Sequence, residues 1–192
     1  MKKTWGCILL LCFAAAACVA QNNQAAAPPT VTLVLDRALT STEKQVVPLA
    51  EAIPEDKYDF APSNGEFKGV RTVSQELLHL AAANYVFAAM LTGDKPNKVN
   101  SGDDMTNGPA DIKGKAAVVE YLKGSFAAAH KGVATINEKN LLEMCKFPFA
   151  DSKLTRLYLA NIFAWHSMDH YGQLVVYSRM NGVVPPASQP KK

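Results

Sequence analysis

SKLTRLYLANIFAWHSMDHYGQLVVYSRMNG, residues 152–182, is the stretch on which the fold turns. Leu159, Ile162, Phe163, His166, His170, Gln173, Leu174 and Tyr177 recur three or four residues apart, and on a helix of 3.6 residues per turn they share one face. The spacing predicts a helix from about Ser152 to Asn181, with Ser152 as N-cap and Gly182 as left-handed terminator before Pro185 and Pro186. Two histidines then stand one turn apart in the middle of the core-facing side. Side chains at i and i+4 project together, and two imidazoles so placed can grip one ion through their ring nitrogens. By itself a His-x-x-x-His pair is a weak signal, because two hydrogen-bonded core histidines satisfy the same pattern.

Three further segments show helical spacing upstream. In the third helix, about Lys115 to Thr135, Val118, Val119, Leu122, Phe126, Ala129 and Val133 fall on one side, and Leu141 to Phe149 reads as a helical turn leading onward. The second, about Thr72 to Thr92, opens on a Thr72-x-x-Gln75 capping box and stops at Gly93. Its expected inner face is Gln75, Glu76, His79, Ala82, Ala83, Val86 and Met90. The first, about Val31 to Ile53, aligns Val31, Leu35, Leu39, Thr42, Val46, Leu49 and Ile53, with Pro54 ending it and Pro48 expected to bend its last turn. No stretch sustains alternation at period two, so the class is all-α, and four amphipathic helices imply a four-helix bundle. The loop GDKPNKVNSGDDMTNGPADIKG, residues 93–114, reads as a solvated linker; its acidic spacing does not match an EF-hand.

The start, MKKTWGCILLLCFAAAACVA, has the layout of a signal peptide over residues 1–20, which implies an exported protein, periplasmic or secreted. Residues 21–30 read as a flexible tether, 31–188 as the folded domain and 189–192 as a C-terminal tail. Cys18, behind Ala15, Ala16 and Ala17, offers the alternative of a lipoprotein anchor, although the usual leucine three residues upstream is missing. Cleavage after Ala20 removes Cys7, Cys12 and Cys18 and leaves Cys145 alone, read as a small buried hydrophobe rather than a nucleophile. Losing Lys2 and Lys3 lowers the formal charge from +3 to +1. The remaining basic residues are scattered, which argues against a nucleic-acid partner. No later stretch approaches the roughly 20 apolar residues of a membrane span.

His79 strengthens the metal reading. It lies on an apolar face beside Ala82 and Ala83, whose small side chains leave room for an imidazole cluster between helices. Burying three titratable rings without a partner costs several kcal/mol, whereas a bound cation uses their lone pairs. Glu76 stands one turn before His79, and Asp169 and Gln173 flank the histidine pair. Each is a candidate pocket residue that could orient a ligand imidazole or act beside a metal-bound water; for Asp169 a solvated carboxylate is an equal reading. His130, at the edge of its stripe near a helix end, reads as a surface or dipole-stabilising group. Trp165 and Tyr177 read as packing groups with a polar tip.

YDFAPSNGEFKGVRT, SQELLHLAAANYVF and AWHSMDHYGQLVVYSRMNGVVPPAS resemble the DinB-like superfamily (the DinB/YfiT-like type), which includes bacillithiol S-transferases and mycothiol-dependent maleylpyruvate isomerases. The similarity covers about Leu33 to Ser188. It implies a divalent-metal centre, zinc or nickel, on His79, His166 and His170, with open positions of the catalytic kind. It further implies a metalloenzyme that activates a water or a thiol for transfer to, or hydrolysis of, a small-molecule substrate, as a thiol S-transferase or hydrolase would. The competing reading is a non-enzymatic bundle that binds metal or a small ligand, or pairs as a homodimer through its helix faces. The sequence assigns no catalytic residue.

Overall fold

The computed structural model describes residues 28–96, 99–100, 107–147 and 151–190. The expected signal peptide with Cys18, most of the tether, the centre of the 93–114 loop and the last two residues lie outside them.

Four helices carry the fold: α1 (Val31–Ala52), α2 (Val73–Thr92), α3 (Lys115–Val133) and α4 (Arg156–Met180). Three begin on a threonine whose hydroxyl accepts an otherwise orphaned N–H: Thr30 from Leu33, Thr72 from Gln75 and Thr155 from Tyr158. At Thr72 the capping box is complete, since the Gln75 side chain accepts the Thr72 N–H in return. α3 starts on Gly114 without a side-chain cap of its own. There Glu55, after α1, accepts the Lys115 N–H at 3.2 Å, while Lys115 Nζ donates to the Glu51 and Ile53 carbonyls at 2.7 Å each.

In space, α1 and α2 each pack against both α3 and α4. The helices therefore form a ring in which α2 and α4 are neighbours although α3 separates them in the chain. Phe126, Phe163, Leu39, Leu49, Leu77, Leu80, Leu122 and Leu159 fill the middle. α2 is not amphipathic as expected: Leu77, Leu78, Leu80, Ala81 and Ala88 are buried along with the predicted face, whereas Gln75 is exposed and Met90 only half-buried. A helix apolar all round belongs in the interior, which is where α2 lies.

The approach to α4 differs from expectation. Of the expected helical turn from Leu141 to Phe149, Leu141 and Leu142 lie in a turn but Met144 to Phe147 is strand, while Phe149 lies outside the described residues; Ser152 does not cap α4. Met144–Phe147 (β1) and Ser152–Thr155 (β2) pair antiparallel, Met144 opposite Thr155 and Phe147 opposite Ser152, and α4 starts only at Arg156. Strands of four residues are too short to establish a period, and this hairpin leaves the all-α class intact. Cys145 on β1 is half-buried, its Sγ 3.9 Å from the Met90 carbonyl, and is a free thiol. His130 stands in the last turn of α3, as the dipole-stabilising reading expects, and is not a free surface group: Nδ1 and Nε2 face Asp36 at 2.6 Å and Glu43 at 3.2 Å, tying α3 to α1. Among the described residues no helix is long and apolar enough to cross a membrane.

Candidate metal centre

His79 from α2 and His166 and His170 from α4 meet at the seam between those helices, with one ligand nitrogen from each within 4.8 Å of the others. The ring centroids of His79 stand 5.3 Å from His166 and 4.6 Å from His170, and the α4 pair is 4.4 Å apart. Nδ1 of His170 lies 2.5 Å from Oε1 of Glu76, and both side chains are buried, at 8 % and 3 % exposure. An ionised carboxylate only accepts, so Nδ1 carries the proton and the lone pair of a neutral His170 is on Nε2.

That Nε2 lies 3.0 Å from Nε2 of His166. Two ring nitrogens bound to one ion at about 2.0–2.1 Å, with bond angles between a right angle and the tetrahedral value, stand about 2.8–3.4 Å apart. Nδ1 of His166 is buried without a hydrogen-bond partner, and the ring meets its neighbour His170 through Nε2. The donor set is neutral imidazole backed by a hydrogen-bonded carboxylate, which suits a borderline divalent cation. Burial first, then His170, His79 and the Arg71 guanidinium, holds the His166 pKa down to about 3. The ring is therefore neutral and metal-competent at physiological pH.

This depression carries a sign for stability. The unfolded chain takes up the His166 proton near the ordinary 6.5 and the folded metal-free protein only near 3, so the unfolded state binds more protons in between. Stability should be lost progressively as pH falls from about 6.5 towards about 3. In urea titrations without metal, wild type is expected to lose stability relative to His166→Gln between about pH 7 and pH 4. A gap that stays constant over that range would show that His166 is not held neutral.

Beside the cluster lies a cleft of about 790 Å³ lined by Asp59, Arg71, Glu76, Asn107, Gly108 and Gln173 among others. None of the three histidines lines it, so cleft and cluster adjoin through Glu76. Its outer wall is the end of the 93–114 loop, which is not a plain solvated linker: Gly108 and Pro109 are buried, and Asn100 Nδ2 donates to the Gly108 carbonyl at 2.6 Å. Gln173, expected in the pocket, is exposed at the rim of this cleft. Asp169 is exposed as well, and the structure does not bring it into the histidine cluster. Trp165 is 53 % exposed, with its ring edge-on to His166 at 6.0 Å, whereas Tyr177 is buried with its ring edge-on to Phe60. Arg71 and Asn107 escaped sequence reasoning, since neither belongs to a periodic face.

Comparison with known proteins agrees with this architecture. A DinB-like protein from Bacillus cereus ATCC 10987 superposes with a TM-score of 0.60 at 12 % identity, covering 82 % of this chain and 96 % of its own. A DinB-like protein from Bacillus subtilis gives 0.56 at 20 % identity, covering 82 % and 99 %. At these identities the likeness establishes the fold alone. No curated protein matches. The sequence profile of the DinB superfamily matches residues 38–174, from the second turn of α1 through both histidines of α4, and the chain belongs to that superfamily.

Proposed function

We propose that this is an exported protein in which His79, His166 and His170 hold a divalent ion, zinc or nickel, and that it activates a water or a thiol for transfer to, or hydrolysis of, a small substrate. The observation that carries the reading is the convergence of three imidazoles from two helices, one with its tautomer set by buried Glu76. Three protein ligands leave a coordination position open, and an ion held this way lowers the pKa of a water or thiol bound to it. The chain's own residues supply the rest. Glu76 keeps the His170 proton on Nδ1, and the adjoining cleft offers the Gln173 amide and the Arg71 guanidinium to the polar parts of a ligand.

One observation favours a second reading, a binding module without turnover. Glu76 is the carboxylate that contacts the cluster, and its engagement with His170 at 2.5 Å leaves it poorly placed to take a proton from a substrate. Metal analysis tests the common core of both readings. Protein purified from zinc- or nickel-supplemented medium should carry about one ion per chain, and a variant with both His166→Ala and His170→Ala almost none. A wild type without stoichiometric metal sinks both. If metal is present, a panel of electrophiles with small thiols separates them, and absence of turnover leaves the binding module.

A further inference from the structure

Arg71 lies one residue before the N-cap of α2 and is hydrogen-bonded on one side. Its Nε and Nη2 both donate to Oδ1 of Asn107, at 3.2 and 2.8 Å. On the other side Nη1 stands 4.0 Å from Oε2 of Glu76. Glu76 is thus spanned: Oε2 faces the guanidinium while Oε1 takes the Nδ1 proton of His170 at 2.5 Å. A glutamate side chain has several rotamers, and a guanidinium facing one oxygen with an N–H donated to the other selects one of them. Asn107 in turn sits at the edge of the cleft wall whose next residue, Gly108, is buried against α2 at Leu78.

We propose that Arg71, aimed by Asn107, is a positioning residue for the histidine centre, holding Glu76 in the rotamer that fixes the tautomer and orientation of His170. The wall of the cleft and the imidazole cluster are then one mechanical unit, linked through Asn107, Arg71, Glu76 and His170. The consequence for an ion rests on the proposed metal site; the consequence for the His170 proton does not. A guanidinium acting merely as a nearby positive charge makes the opposite forecast. Removing it would tighten cation binding, and loosening Asn107 would change nothing.

The test uses the full chain with Arg71→Gln, Arg71→Lys and Asn107→Ala, the last at an exposed position. In metal-free protein, the His170 Nδ1 proton is followed as a downfield resonance in nitrogen-15 NMR. In parallel, zinc affinity is measured by competition with a chromophoric chelator. We expect the resonance to broaden into exchange with solvent in Arg71→Gln and Asn107→Ala. Zinc affinity should fall about tenfold in both, the scale for losing a group that orients a ligand. Arg71→Lys should fall in between, since an ammonium restores the charge but not the fork onto Asn107. An unchanged resonance in both variants overturns the proposal, as does zinc binding that is equal or tighter in both. If wild type binds no zinc, the metal reading fails and the resonance alone decides the positioning role.

Discussion

Glu76→Ala is expected to lower stability by about 2–4 kcal/mol and zinc or nickel affinity by about 10–100-fold. The side chain is 3 % exposed and that of its partner His170 8 %, so alanine leaves an imidazole N–H in a buried space without an acceptor. Losing one partner of a buried pair costs more than the pair contributes, because the survivor keeps its desolvation penalty. Glu76→Gln separates the two effects. An amide oxygen still accepts from Nδ1, so most of the stability should return, while the weaker acceptor leaves His170 a poorer ligand. Urea denaturation of metal-free protein checks the first quantity and chelator competition the second. A stability loss under about 0.5 kcal/mol, the level of an ordinary surface substitution, would show that the Glu76–His170 contact is not formed.

Gly108→Ala is the other substitution with a large expected effect. Gly108 has φ +73°, and a Cβ there would stand 2.8 Å from Leu78 Cβ, 2.9 Å from its carbonyl oxygen and 3.1 Å from its carbonyl carbon. Two of those three atoms are α2 backbone, which cannot step aside as a flexible side chain would. The left-handed conformation alone costs alanine about 1 kcal/mol, and prising the wall away from α2 adds about 1–3 kcal/mol. Gly93 supplies the control, with φ +80° and nothing within 4 Å, so Gly93→Ala should show only the conformational cost of about 1 kcal/mol. Equal losses in the two variants would mean that the wall does not rest on Leu78.

These two residues differ in how far sequence could reveal them. Glu76 was visible because it stands one turn from His79, although its partner is His170 on another helix. The histidine pair was legible from i, i+4 spacing on the α4 stripe, and His79 from its apolar neighbours. Asp169 and Gln173 sit at the edge of that stripe, where a step of about 100° per residue separates the core from solvent; both are exposed. Gly108 and the Arg71–Asn107 contact, across 36 residues of chain, depend on how a loop folds back, and no period encodes that. The Thr72 and Gly93 helix ends followed from local capping chemistry. Ser152 does not cap α4 because Ser152–Thr155 pairs as β2, and the helix begins one strand later on Thr155. α2 was read as amphipathic because its run of leucines and alanines leaves the choice of face open.

The split of the centre across α2 and α4 has a kinetic consequence. Glu76 and His170 are 94 residues apart, with α3 intervening, so these groups come together only after a long stretch of chain has closed on itself. Contacts of such separation form late, because closure entropy must be overcome before they contribute. If the centre holds an ion as proposed, a nascent or partly unfolded chain would offer it the His166–His170 pair without His79 and would bind it more weakly. An ion that prefers the complete triad stabilises the native state by mass action, in proportion to the logarithm of its free concentration. Metal supply in the compartment where the chain folds would then set how long it survives proteolysis, independently of any reaction it performs.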